Sequence, residues 1–356
     1  MTIKANPTSR QYGTGDPAFT VSYSGFVNGE DASILSGQLS CKSNSTLLSP
    51  VGSYTIDCST STLSSPNYIV TYAPCVLTVT PAPLTITASN RSKTYGQTVT
   101  FAGTEFTASG LVNADKMTSV TLASAGAAAS ASVAGSPYPI TPSSAVGTGL
   151  SNYSITYNTA ALTIVPASQT ITLTGVPASA LFGQGPFTLN ASATSGLAVT
   201  LSASGNCLLS SNTLSLTGIG TCTVTASQPG NGNDNPAPTL SPSFAIGPAV
   251  TATNVSTSPA TVQYSDYTTL TATISPVTVS VQALTGNVQF YLNGSTVGSS
   301  VPINSSGVAT LSQLQVNLAS ASYPVKAVFS NTNANFAGST GTTTQTVAQS
   351  CLRCTI

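Results

Sequence analysis

Along most of this chain apolar residues alternate with threonine or serine. "VLTVT" (Val76–Thr80), "LTITA" (Leu84–Ala88) and "NYSITY" (Asn152–Tyr157) are examples. A period of two predicts strands with one face buried and one face wet. Threonine suits the wet face, because it is β-branched and polar and favours extended backbone. Glycine and proline interrupt the alternation at short intervals, as in "YGTGDP", "SPVGSY" and "PAPL". Short strands between such turns predict antiparallel sandwiches or barrels. No segment carries a convincing helical period. The Ala-rich stretch Ala123–Gly135 contains good helix formers but aligns with the region Cys41–Gly52, so it is read as loop or edge strand.

The pattern also repeats on a longer scale. "TIKANPTSRQYG" (Thr2–Gly13) returns as "TITASNRSKTYG" (Thr85–Gly96), 83 positions later. "SGFVNGED" (Ser24–Asp31) returns as "SGLVNADK" (Ser109–Lys116), "NYIVTY" (Asn67–Tyr72) as "NYSITY", and "VLTVTPAP" (Val76–Pro83) as "ALTIVPAS" (Ala161–Ser168). Fixed-period self-similarity means tandem units. Two further stretches, starting near Ser168 and Ala249, keep the β pattern with different sequences. The expected fold is all-β: four tandem Ig-like sandwiches in an elongated rod. The units are 1–82, 83–166, 167–248 and 249–348, followed by a tail at 349–356. Short Pro-containing joints, "VPAS" and "IGPAV", are expected to be stiff.

On these residues the chain resembles known families. The first two units resemble the bacterial MBG repeat through "SKTYG", "GLVN", "GSYTI", "NYIVTY" and "VLTVTPAPLTITA". The third resembles another secreted bacterial repeat through "FGQGPFTLNASATSGLAVTLSASGNC" and "GTCTVTASQPGN". The fourth resembles a bacterial Ig-like (Big-type) repeat through "TTLTATISP", "GNVQFYLNG", "SGVATLS" and "NFAGSTG". The resemblance implies a secreted surface or matrix protein with adhesive or structural duty. It transfers no catalytic residues.

Composition narrows the chemistry. Charged residues make up only 4% of 356, against about 25% in an ordinary soluble domain. The net charge is zero, which gives no electrostatic pull toward nucleic acid. No apolar run approaches the length that spans a bilayer. The start, "MTIKANPTSR", has no basic n-region before an apolar stretch, so it does not read as a signal peptide. It is read as the start of a mature or excised piece. With no histidine, the many serines lack the ordinary base of a hydrolase triad. Glu30 and Asp31 are neighbours that point apart on a strand. Asp115 is read as the second unit's equivalent of Asp31, in a turn role. Asn231–Asn235 ("NGNDN") offers calcium oxygen ligands but only one carboxylate, Asp234, and is read as an ordinary loop. No catalytic, cofactor-binding or metal-binding residue is assigned, and no cofactor is expected. The matched tyrosines Tyr12/Tyr95, Tyr68/Tyr153 and Tyr72/Tyr157 are read as packing residues.

The seven cysteines leave one over from any all-intramolecular scheme. Cys41 and Cys58 flank a loop between strand-like segments, and Cys207 and Cys222 close a loop of about 15 residues, for which chain entropy predicts about 3 kcal/mol. Both pairs are expected to be disulfides in an oxidising compartment. Cys75 and the tail cysteines Cys351 and Cys354 are candidates for an intermolecular bond. The expected function is non-enzymatic and extracellular or at the cell surface. The chain is read as the stalk of an adhesin or as a fibre subunit that self-associates head to tail. The alternative is a module that binds a surface glycan or host protein, with "FYLNGSTVGSS" and "NTNANF" of the last unit as candidates. Nucleic-acid binding and membrane insertion are not expected.

Overall fold

The computed structural model describes residues 1–349. Among these the regular structure is strand, with four single-turn 3₁₀ segments and no α-helix. Two of the 3₁₀ turns, Ala125–Ala127 and Val133–Gly135, lie in the Ala-rich stretch. No helix of the described residues is long and apolar enough to cross a membrane. The chain divides into two compact units. Unit 1 is 1–167 together with 231–235, and unit 2 is 168–230 with the chain from 236.

Unit 1 contains two seven-strand blocks. The first comprises β1 (Thr2–Ala5), β2 (Thr8–Gln11), β3 (Val21–Ser24), β4 (Lys42–Ser43), β5 (Gly52–Asp57), β6 (Thr71–Ala73) and β7 (Cys75–Thr80). The second comprises β8 (Ala82–Ala88), β9 (Arg91–Thr94), β10 (Phe106–Ser109), β11 (Met117–Ala123), β12 (Tyr138–Gly147), β13 (Tyr153–Asn158) and β14 (Ala160–Val165). The strand orders coincide. Each block has a three-stranded sheet, β3-β1-β6 or β10-β8-β13, and a four-stranded sheet, β2-β7-β5-β4 or β9-β14-β12-β11. In both, the opening strand pairs antiparallel on one side and parallel on the other. The next strand then crosses to the other sheet and pairs parallel with the block's last strand.

The period of two sets which side chains go inside. In β8, Ala82, Leu84, Ile86 and Ala88 are buried while Pro83 is exposed and Thr85 and Thr87 are half-buried. In β7, Leu77 and Val79 are buried. Each such Leu or Ile contributes about 1.5–3 kcal/mol on leaving water. The first block's core gathers Ala5, Ile56, Cys58 and Leu77, and the second's gathers Ala88, Ile140 and Leu162. A third cluster takes Tyr12 and Val79 from the first block and Leu84, Ile86, Val120 and Tyr153 from the second. The two blocks therefore meet over a core of their own.

In unit 2, Ser179–Leu181, Ser243–Gly247, Gly220–Ser227 and Thr200–Gly205 form one sheet in that order. Phe187–Thr188, Thr213–Leu216 and Cys207–Ser210 form another. Farther along the chain, the sheet Ala252–Ser258, Tyr267–Ser275, Val308–Gln315 accompanies a five-stranded one. The latter runs Thr261–Val262, Ser339–Val347, Ala321–Asn331, Gly286–Leu292, Ser295–Pro302. Leu270, Ile274 and Ala309 of the former share a buried cluster with Val288, Phe290, Val325 and Phe329 of the latter.

Candidate functional site

The cysteines divide by burial and partner. Cys41 is joined to Cys58 and Cys207 to Cys222, with S–S distances of 1.99 and 1.90 Å. Cys75 opens β7 opposite Ile56 of β5. Among the described residues it has no disulfide partner, and it is half-buried against the first block's core. Cys351 and Cys354 lie outside the described residues.

A set of ring contacts and hydrogen bonds joins the two blocks. Directly after β2, Tyr12 is 5% exposed and sets its ring edge-on against Tyr153, with centroids 5.6 Å apart and planes at 81°. Such pairs contribute about 0.5–1.5 kcal/mol beyond the area they bury. Both phenols donate to the same carboxylate oxygen, Asp115 Oδ2, at 3.1 Å from Tyr12 and 2.8 Å from Tyr153. The Tyr153 hydroxyl also accepts from Val112 N–H at 2.9 Å. Burial, and then the Asp115 hydrogen bond and charge, hold the Tyr153 phenol above the usual tyrosine range. Two amides complete the contact. Asn113 Nδ2 donates to Leu47 O, and Val51 N–H donates to Asn152 Oδ1, both at 2.9 Å.

The turn after Tyr12 needs glycine for two reasons. Gly13 has φ +78°, and a Cβ there would stand 2.4 Å from Val112 Cγ2. Beneath each Tyr-Gly turn lies a buried cation. Arg10 donates to Asp16 Oδ1 at 2.7 Å, Thr14 O at 2.8 Å and Thr46 O at 2.6 Å. At the matched position Lys93 donates to Gln97 O at 2.8 Å and to Ala128 O. Thr14 and Gln97 follow directly after the two Tyr-Gly pairs, so each cation ties its turn to the sheet below. Partial burial raises the Asp16 pKa, but hydrogen bonds from Ser43, Ser45 and Arg10 outweigh it and lower the carboxyl overall.

The reading of Asp115 as the equivalent of Asp31 is corrected here. In the first block Tyr68 donates to Glu30 and accepts from Val27 N–H at 3.1 Å, which is the Tyr153–Asp115–Val112 pattern. The carboxylate precedes its tyrosine by 38 positions in both blocks. The available signal was the alignment of Ser24–Asp31 with Ser109–Lys116, which sets Asp115 opposite Glu30 and Lys116 opposite Asp31. Asp31 instead caps the 3₁₀ turn Ala32–Ile34, where its side chain accepts from Ser33 N–H.

Against known proteins, residues 1–78 and 84–163 match the MBG domain (YGX type), and residues 255–348 match the bacterial Ig-like domain (group 3). The chain carries two MBG domains followed by a bacterial Ig-like domain. The Tyr-Gly pairs at Tyr12 and Tyr95 supply the first two letters of that type. No curated protein matches the chain. Solved structures with similarity include the Yersinia pseudotuberculosis adhesin InvE, at 16% identity and TM-score 0.23 over 50% of this chain and 58% of that one. Domains 1–6 of the surface layer protein SbsC give 13% and 0.25, over 98% and 55%. A tetra-tandem repeat in the extending region of a large adhesion protein gives 13% and 0.30, over 84% and 82%. The chain spans little more than half the length of the first two.

The other candidate segments are occupied by packing. In "NTNANF" (Asn331–Phe336), Phe336 is buried in unit 2 with its ring edge-on to Phe182, 6.2 Å between centroids. Asn335 Oδ1 accepts from Ile219 N–H at 2.9 Å, and its Nδ2 donates to Gln282 Oε1 at 2.6 Å. In "FYLNGSTVGSS" (Phe290–Ser300), Phe290 is core, and Tyr291 carries the Lys326 ammonium 4.5 Å above its ring. Asn293 and Gly294 form the left-handed tip of the hairpin there. In the Asn231–Asn235 loop, Asn231 Oδ1 accepts from the N–H groups of Asn233 and Asp234. Asn233 Oδ1 accepts from Val133 N–H at 2.9 Å. The side-chain oxygens of Asn231 and Asn233 thus serve hydrogen bonds, and no group of three metal-ligating side chains occurs among the described residues.

Proposed function

We propose that the chain is a non-enzymatic extracellular stalk: four β modules at 1–82, 83–166, 167–248 and 249–348, which hold something else away from a surface. The observation that carries this reading is the Tyr12–Asp115–Tyr153 junction. A buried aromatic pair, two phenols on one carboxylate and two amide bridges make a directional contact between consecutive MBG domains. Such a contact resists bending, which is what a stalk requires and a flexible tether does not. The two disulfides suit a secreted protein, since they persist in oxidising compartments. The aromatic side chains of the last domain's candidate segments are engaged in packing, which favours a spacer over a ligand platform.

Small-angle scattering of the purified chain, with negative-stain electron microscopy, tests the reading. Single elongated particles of one length are expected. A compact globule, or a broad range of bent shapes, would overturn the stalk. Regular filaments would replace it with the fibre subunit.

A further inference from the structure

The junction in unit 1 has two sides. One side delivers Tyr12-Gly13 and the backbone of Leu47 and Val51. The other receives them with Val112, Asn113, Asp115, Asn152 and Tyr153. Four of the five receiving residues recur on the first MBG domain as Val27, Asn28, Asn67 and Tyr68, and Asp115 is matched by a second carboxylate, Glu30. Their local structure recurs too. Tyr68 bridges Glu30 and Val27 N–H as Tyr153 bridges Asp115 and Val112 N–H. Asn28 and Asn113 share φ 55°.

The difference is cover. Asn152 and Tyr153 are 7% and 8% exposed. Val27 is 58% exposed, Asn28 and Asn67 are exposed, and Tyr68 is half-open. Beside them Ile69 is 85% exposed. Asp115 takes two phenols, whereas Glu30 takes only that of Tyr68 among the hydrogen bonds of the described residues. Its carboxylate retains acceptor capacity for a second. Phe26, where the second domain has Leu111, adds an edge-on contact to Tyr68 at 5.6 Å.

We propose that this face of the first MBG domain is a receiving surface for the Tyr-Gly turn of another MBG domain placed before it. The tyrosine would set its ring against Tyr68 and its hydroxyl on Glu30, and its glycine would lie over Val27. The occupant is identified by the junction already formed inside this chain, where the same five positions hold a Tyr-Gly turn. The inference stands on that junction and not on the stalk reading, so its failure would leave that reading intact.

The test uses the full chain extended by one domain. A second copy of residues 1–84 is fused directly before Thr2, which preserves the natural link ahead of the receiving domain. In the added copy Val27→Ile and Tyr68→Phe give the receiving domain's peptides their own masses. Hydroxyl-radical footprinting read by mass spectrometry then reports each side chain. Oxidation of the receiver's Val27 and Tyr68 should fall to the level of Val112 and Tyr153 in the same sample. Tyr12→Ala in the added copy should restore it. Oxidation at the unextended chain's rate, with Val112 and Tyr153 still protected, would overturn the proposal. So would protection that survives Tyr12→Ala, or protection that appears only after Phe26→Leu in the receiver. Sedimentation of the unextended chain addresses the other occupant. A concentration-dependent dimer that already protects Tyr68 would overturn the tandem partner in favour of a second copy.

Discussion

Gly13 and Gly96 form a matched pair that isolates what the junction contributes. Both follow the tyrosine of a Tyr-Gly turn, with φ +78° and +85°. Alanine at either position meets the same left-handed penalty, about 1–2 kcal/mol. A methyl built on Gly96 meets nothing within 4 Å, so Gly96→Ala should cost only that. A methyl on Gly13 would sit 2.4 Å from Val112 Cγ2 and 2.8 Å from its Cβ. Either Val112 or the turn must shift, and overpacking of that kind costs about 1–3 kcal/mol more. For a unit of this size each kcal/mol is worth about 2–4 °C in Tm, so Gly13→Ala should melt about 2–12 °C below Gly96→Ala. Differential scanning calorimetry of the full chain reads the transition of unit 1. Val112→Ala in the Gly13→Ala background removes the nearest methyl and should recover part of the difference, a coupling that a double-mutant cycle measures. Equal losses in the two glycine variants, or no coupling to Val112, would refute the reasoning.

Asp115→Ala leaves the Tyr12 hydroxyl without its acceptor, while Tyr153 keeps Val112 O at 3.1 Å, and should destabilise unit 1 by about 1–3 kcal/mol, read by urea denaturation. Tyr12→Phe keeps the ring contact and loses one hydrogen bond, so its cost should be nearer about 0.5–1.5 kcal/mol. The raised Tyr153 pKa means the folded chain holds that proton more tightly than the unfolded chain. Its stabilisation is therefore complete below the ordinary tyrosine value, about 10, and is lost as pH rises through the higher folded value. Thermal melts above that pH should show Tyr153→Phe losing less than the parent. Reduction of Cys207–Cys222, whose partners are 15 residues apart, should lower the unit 2 transition by about 3 kcal/mol on the chain-entropy account, read by calorimetry with and without reductant.

Much of the fold was legible from short-range signals. In Ala82–Ala88 the alternation of apolar residues with Pro and Thr names the buried face, because a strand turns each successive side chain to the opposite side. The repeated Tyr-Gly motif marked two copies of one domain for a similar reason: a left-handed turn tolerates few substitutes for glycine. Partnership was harder to read. Asp115 looked like a turn residue because nothing within a few positions of it hints at Tyr153, which the chain brings back on another strand. Phe336 looked available because its neighbours are polar, yet the fold carries it into the core of unit 2 beside Phe182.

The linear pattern of this protein was thus enough to determine its all-strand character, its inward-facing residues and its order of MBG domains before a bacterial Ig-like domain. Tertiary structure alone decided that Glu30 and Asp115 receive tyrosines, that Tyr12 is shared between two domains, and that one receiving face is covered while its copy is open. The reason is physical. Alternation and turn chemistry act between neighbours along the chain, whereas hydrogen bonds and ring contacts act between groups that only the completed fold brings within a few ångströms.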